Sequence, residues 1–316
     1  MRARRAVWLL STLAIVPISI GAVQVSSSGS PANDPHAVTI TFFVGDELGN
    51  PVSNLQISDL SVADNGKPPM RVISLGSAKD LPLRLGILID NNPGRGVYYS
   101  KKQLEYAPTP KWAVDFVDEM LTGPDDKAFI ASYSTIRHGA TFVSRDQLQP
   151  IDLNQFLKTD ALDLLGSHDA MRIACKEVFG ADRPGRERRI LIVIPGAGDQ
   201  VGRSLSDYSQ TISAAQRAGV KVFIFGWLIA KSGGIPMVYR PGSGWVGTGG
   251  WVLTGQPDPS SWFKRLKSQI DSMYSLTYIP AEPCQAGKLR RLDLTITTHK
   301  NWRVYAPKRY LMASAQ

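Results

Sequence analysis

Apolar positions in the middle of the chain fall in short continuous runs, at Leu83–Ile89, Ala128–Tyr133, Ile190–Ile194 and Val220–Leu228, and the segments between them follow a helical period. Runs of that length without alternation read as strands buried on both faces, and strands separated by helices imply right-handed crossovers in a largely parallel sheet. The spacing predicts helices over Lys111–Leu121, with Trp112, Phe116 and Leu121 on one face, and over Ser167–Phe179, Leu205–Ala218 and Ser260–Tyr274. Ser167 is placed as an N-cap, and Gly219 as the glycine that ends the third helix. Both ends of the chain read differently. Strands are predicted early at Val38–Val44, Leu60–Val62 and Arg71–Leu75, and late at Ser275–Ile279, Leu289–Thr297, Trp302–Tyr305 and Arg309–Leu311. Asp64-Asn65-Gly66 signals a tight turn among them. Three short strands cannot hold together alone, so the early and late strands are expected to pack as one small antiparallel β-sandwich. The expected fold class is α/β: a doubly wound, mainly parallel, Rossmann-like sheet over 80–280, inserted between an N-terminal β segment at 36–78 and C-terminal strands at 286–313.

Ahead of that fold, Arg2, Arg4 and Arg5 precede an apolar segment from Ala6 to Ile20, the pattern of an export signal. It predicts a signal peptide over 1–22, followed at 23–35 by a flexible spacer rich in Ser, Pro, Gly and Asn. Drawn out to Val23, the apolar stretch reaches 18 residues, long enough for an N-terminal membrane anchor. Either way the body is expected outside the cytoplasm, secreted or periplasmic after cleavage.

A formal charge of +9 on 316 residues falls to +6, from 33 basic and 27 acidic residues, once the three arginines of that segment are set aside. The dense basic stretches, Arg183 to Arg189 and Lys288 to Arg291, lack the interleaved aromatics of a nucleic-acid platform and read as solvated loops beside strands. No nucleic-acid partner is expected. The two cysteines, Cys175 and Cys284, would support a disulfide in an exported chain, although Cys175 in a helical apolar setting reads equally as a buried thiol.

The candidate chemistry begins where the first parallel run stops, at Asp90, followed by Asn91, Asn92, Pro93 and Gly94. Carboxyl ends of parallel strands are where open α/β sheets hold ligands, so a carboxylate there marks a candidate binding surface. These residues resemble a von Willebrand factor A domain. Gly49-Asn-Pro-Val52, Asp59-Leu60-Ser-Val62 and Asp64-Asn-Gly-Lys67 are similar to the β segment that introduces the domain in secreted bacterial, acidobacterial-type members. Gly249-Gly250, Pro257-Asp-Pro259, Ser272 to Pro280, Gly287 to Leu292 and Lys308-Arg-Tyr310 resemble that family's later segments. The resemblance implies a protein-binding module whose ligand site is a metal-ion-dependent adhesion site, in which neutral hydroxyls and few carboxylates leave Mg²⁺ electrophilic. Asp90 matches the family's first ligand and Ser167 stands in for its Thr. Asn92 and Gly94 replace its two Ser, and Gly196 falls in the loop that should carry Ser-Asp-Gly, with Asp199 three positions late. No metal or other cofactor is therefore expected, and only Asp90, Asn92 and Ser167 would remain for Mg²⁺. Without metal, Asp90 would accept backbone hydrogen bonds in the Asn-Asn-Pro-Gly turn.

Other patterns carry less. Ser167, His168 and Asp169 hold the letters of a catalytic triad, but neighbours on a helix point about 100° apart and form no relay. The four histidines are scattered, and Gly242-Ser-Gly-Trp-Val-Gly247 opens no helix, so neither zinc nor a dinucleotide is indicated. Tyr239, Trp245 and Trp251 lie in a Gly-rich insertion after Gly226, readable as an aromatic contact surface or as a packed Ω-type cover. The sequence thus predicts an exported, non-enzymatic recognition or adhesion module whose partner is a protein or a cell-envelope component, with a structural subunit of an envelope assembly or a weak Mg²⁺-dependent adhesion domain as the alternatives.

Overall fold

Each long apolar run becomes a strand buried on both sides. The computed structural model describes residues 36–90, 110–148, 165–180, 187–194, 208–225, 247–250, 252–253, 259–283, 285 and 287–311. The expected signal and spacer segments, and Cys284, lie outside them.

In chain order the strands are β1 (Val38–Gly45), β2 (Leu60–Asp64), β3 (Arg71–Ser77), β4 (Leu83–Ile89), β5 (Lys127–Ser132), β6 (Arg188–Ile194), β7 (Lys221–Phe225), β8 (Val252–Leu253), β9 (Tyr274–Ile279), β10 (Leu289–Ile296), β11 (Arg303–Tyr305) and β12 (Arg309–Leu311). The helices are α1 (Pro110–Met120), α2 (Ser167–Ile173), α3 (Tyr208–Ala218) and α4 (Pro259–Asp271). A π-helical turn, Ala174–Val178, prolongs α2.

Strands β4 to β8 form a parallel sheet in the order β5-β4-β6-β7-β8. Alternate residues feed two cores, as the two-residue period of a strand requires. Leu85, Ile87, Ile89, Ile190, Ile192 and Phe223 meet α1 and α4 on one face, whereas Leu88, Leu191, Val193, Val222 and Ile224 meet α2 and α3 on the other. Gly86 sits on the second face because a Cβ there would lie 2.4 Å from Phe129 Cζ. Val143 bridges antiparallel to Ala128 and covers the β5 edge.

The remaining strands form two antiparallel sheets, β11-β1-β9-β3 and β12-β10-β2, whose inward residues share one apolar cluster that includes Phe42, Leu276, Tyr278, Leu292 and Tyr310. β9 falls inside the 80–280 range expected for the α/β unit, yet it pairs with β1 on one side and β3 on the other. Turn chemistry at the end of β2 is as the sequence reads: Asn65 and Gly66 take positive φ (51° and 79°), and Asp64 and Lys67 exchange both backbone hydrogen bonds. Ser167 is the first residue of α2 rather than its cap, since Gly166 holds the extended cap conformation.

The basic stretches read as solvated loops are partly internal. Arg188 and Arg189 are buried, with Arg188 Nε donating to Leu81 O (2.9 Å) and Arg189 Nη1 to Ala218 O (3.0 Å) and Gly180 O (3.1 Å). Arg290 is buried as well. These guanidiniums serve backbone carbonyls and two carboxylates, Glu187 for Arg189 and Asp64 for Arg290, which offsets their desolvation.

Lys221 is the least compensated of the buried cations. At the start of β7 it donates to the Thr41 hydroxyl on β1, and no carboxylate pairs with it among the described residues. Burial pulls its pKa from 10.5 to about 7. A base depressed in the folded state binds fewer protons than in the unfolded one, so stability rises from about pH 7 to 10.5 and is flat below. Lys221→Met is expected to abolish that rise and to stabilise the protein at pH 7 by on the order of 2–3 kcal/mol, net of the lost Thr41 bond. Urea denaturation across pH 6–10 reads both effects, and an unchanged pH slope in the variant contradicts them.

Candidate functional site: the crevice at the carboxyl ends of β4 and β6

Strand order locates the site before any side chain is considered. The chain leaves β4 toward β5 through α1, on one face, and leaves β6 toward β7 through α3, on the other. Adjacent strands whose connections depart to opposite faces leave a crevice between their carboxyl ends. The floor of that crevice lies between Ile89 and Ile194.

Asp90 stands on this floor. Its N–H donates to Ile194 O (2.9 Å), which stitches the end of β4 to the end of β6, and its side chain is partly exposed. Alongside, Ser132 at the end of β5 is the register partner of Ile89, and Tyr133 N–H donates to Ile89 O (3.1 Å). Beyond it the chain folds into a hydroxyl knot. Ser132 N–H donates to Thr135 Oγ1 (2.8 Å), Thr135 N–H donates to Ser132 Oγ (3.0 Å), and the Ser132 and Ser134 hydroxyls lie 3.0 Å apart. Such side-chain turns fix a loop without a ladder partner.

The first turn of α2 is polar yet internal: Ser167, His168 and Asp169 are 0%, 3% and 4% exposed. Thr211 of α3 donates to His168 O (3.3 Å), and the imidazole lies 5.9 Å from the Tyr208 ring. Consecutive helical positions point in different directions, so these three residues form no nucleophile relay with one another. Behind them Cys175 is a free, buried thiol whose pKa burial pushes up to about 12, which makes it inert as a nucleophile.

Two of the residues expected at the site, Asp90 and Ser167, are therefore placed. Asn91, Asn92, Gly94, Gly196, Asp199, Tyr239, Trp245 and Trp251 lie outside the described residues. Ser132, Ser134 and Thr135 escaped the sequence reading, although Ser132-Tyr-Ser-Thr135 directly follows an apolar strand parallel to the one that ends in Asp90. A divalent cation fits the described donors poorly. Ser167 is fully buried, and no group of three His, Cys, Asp or Glu side chains converges among the described residues.

The far end of the aromatic insertion is firmly anchored. Thr248 is buried, and its hydroxyl accepts from Val222 N–H (3.1 Å) and Gly250 N–H (3.3 Å). Gly247 O accepts from Gln216 Nε2 (2.8 Å) and Lys308 N–H (2.8 Å). Four residues thus join β7, α3 and the approach to β12. After them β8 continues the parallel sheet, an element too short to signal itself in sequence.

No family model matches the chain, and no curated protein does. Solved structures that resemble it include proximal thread matrix protein 1 from the mussel byssus, at 13% identity and a TM-score of 0.37, over 66% of this chain and 49% of that one. Another is the VWA domain of SpRpn10, at 16% identity and a TM-score of 0.32, over 59% of this chain and 94% of that one. The chain spans about half the length of the mussel protein. Independently of these likenesses, the strand order and the two-faced helix packing define a doubly wound parallel α/β unit, compatible with a von Willebrand factor A-like fold.

Proposed function

We propose that this protein is an exported, non-enzymatic recognition module that binds a protein or cell-envelope partner in the crevice between β4 and β6. The observation that carries the reading is the reversal of strand order at β4. It opens a crevice whose floor carries a partly exposed carboxylate, Asp90, beside a hydroxyl knot at Ser132 to Thr135. The partly exposed Asp90 and Thr135 suit polar recognition, in which a few placed groups set orientation, while the buried Ser132 and Ser134 hold the loop from within. Residues 91–94 and 196–199 follow the two strand ends in sequence, and Tyr239, Trp245 and Trp251 are further contact candidates. The two antiparallel sheets act as a small sandwich that holds the ends of the α/β unit. Recognition is read as metal-free, because Asn92 and Gly94 stand where the resemblance calls for two Ser and Gly196 lies where it calls for Ser-Asp-Gly.

Immobilised protein is expected to retain a defined set of partners from an envelope extract. Asp90→Ala and Trp245→Ala should each reduce that capture at least tenfold, the size of losing one well-placed contact. Capture unchanged in both variants would sink the proposal.

A further inference from the structure

One stretch of the sequence carries as much net charge as the whole chain after the apolar segment. Residues 287–311 contain seven basic residues and one acid, Asp293, a net +6 that equals the net charge of the whole chain after residue 23. Everything else balances. Arg290 is consumed internally by Asp64, but Lys288, Arg291, Lys308 and Arg309 are exposed. Register brings them together: Arg291 lies directly opposite Arg309 in the β10–β12 pair, and Leu292 N–H donates to Lys308 O (2.9 Å). Arg217 from α3 joins them, donating to Gly287 O (3.4 Å). Leu292 and Tyr310 turn inward to the apolar cluster, so Arg291 and Arg309 share the outer face. Arg291 has a carboxylate at Asp293 (2.9 Å), whereas Lys288, Lys308 and Arg309 make no ion pair among the described residues. Like charges set opposite each other on a sheet cost stability, and on this face Asp293 offsets Arg291 alone.

The same end of the molecule receives the chain from its N-terminal segment. Val38 pairs with Tyr278, whose hydroxyl lies on Asp64 beside Arg290, the neighbour of Arg291. The chain from residue 24 to residue 35 can span at most roughly 40 Å. The basic face therefore stands within reach of any membrane that the apolar segment before residue 24 enters or leaves. We infer that the outer face of the β12-β10-β2 sheet docks on an anionic phospholipid bilayer through Arg217, Lys288, Arg291, Lys308 and Arg309. This surface is separate from the crevice between β4 and β6 and does not depend on it.

Flotation with lipid vesicles tests the inference, using the full chain and, alongside it, the chain from Gln24, which keeps every described residue. The chain from Gln24 should bind phosphatidylcholine vesicles that carry about 30% phosphatidylglycerol and ignore pure phosphatidylcholine, with binding lost as salt rises well above physiological strength. Each cation near an anionic surface contributes about fivefold, so K288Q/K308Q/R309Q should weaken partitioning on the order of a hundredfold. These side chains are exposed and make no ion pair among the described residues, so the variant is expected to keep its fold, checked by circular dichroism. The full chain adds the same contribution from its N-terminal segment to wild type and variant. Equal binding to neutral vesicles, or a variant that binds like wild type, overturns the inference. Retention on polyglutamate without vesicle binding also overturns it and reassigns the face to an acidic polypeptide.

Discussion

Gly250→Ala is expected to be the most damaging single-methyl change in the protein. A Cβ at this position would lie 2.0 Å from Val222 O, 2.6 Å from Val222 C and 2.8 Å from Val222 N, all backbone atoms of a central strand. No side chain can swing aside, so β7 or the Thr248 segment must move, and with it the bonds from Val222 and Gly250 to the Thr248 hydroxyl. The loss should exceed about 4 kcal/mol, the range reserved for backbone clashes and broken buried networks. Thermal unfolding should then begin roughly 10 °C lower, by the scaling for chains of this size. Gly66→Ala is the control. Nothing lies within 4 Å of a Cβ there and only its φ of +79° resists, so about 1 kcal/mol is expected. Similar losses for the two variants would show that the close approach at Val222 is not the constraint.

Removing the Asp64 carboxylate should cost nearly as much. Asp64 is 2% exposed and its Oδ1 accepts from Arg290 Nε (2.7 Å). Its Oδ2 accepts from the hydroxyls of Tyr278 (3.0 Å) and Tyr310, and the two hydroxyls lie 3.3 Å apart. Four strands, β2, β9, β10 and β12, meet at this one side chain. Burial, and then the neighbouring Tyr310 and Asp64, holds the Tyr278 phenol far above its ordinary range, so it stays a hydrogen-bond donor at any physiological pH. Asp64→Ala takes the carboxylate from the buried Arg290 guanidinium and should cost about 3–5 kcal/mol in urea denaturation. Asp64→Leu with Arg290→Met should recover most of that loss, because an apolar pair replaces a buried ion pair at little cost. A double variant as unstable as the single one would mean that the tyrosine hydroxyls, rather than the uncompensated charge, carry the effect.

Apolar runs and turn chemistry were legible along this chain because they depend on neighbours in sequence. Leu83–Ile89, the Asn65-Gly66 turn and Gly219 at the end of α3 are each set locally, by period or by positive φ. Buried charge was not legible. Arg189 reads as a loop cation until the fold brings it to Ala218 O, 29 residues away, and Arg188 until it meets Leu81 O, 107 residues away. Lys221 and Arg290 are of the same kind, with partners 180 and 226 residues distant. The candidate site was half legible. Asp90 is marked by the end of an apolar run, but the hydroxyls of Ser132 to Thr135 matter only because β5 lies beside β4, a pairing that periodicity cannot specify. β9 shows the same limit, since its alternation reveals a strand but not the sheet it joins.

Photo-crosslinking tests the central claim most directly. Benzoylphenylalanine at position 92, shortly after the end of β4 in sequence, is expected to form adducts with the captured partner, and at position 199, shortly after the end of β6, to do the same. At Leu48, 75% exposed in the loop after β1 and held by Arg265 of α4, it should form none. Adducts at position 48 with none at 92 or 199 would contradict a recognition surface in the crevice between β4 and β6.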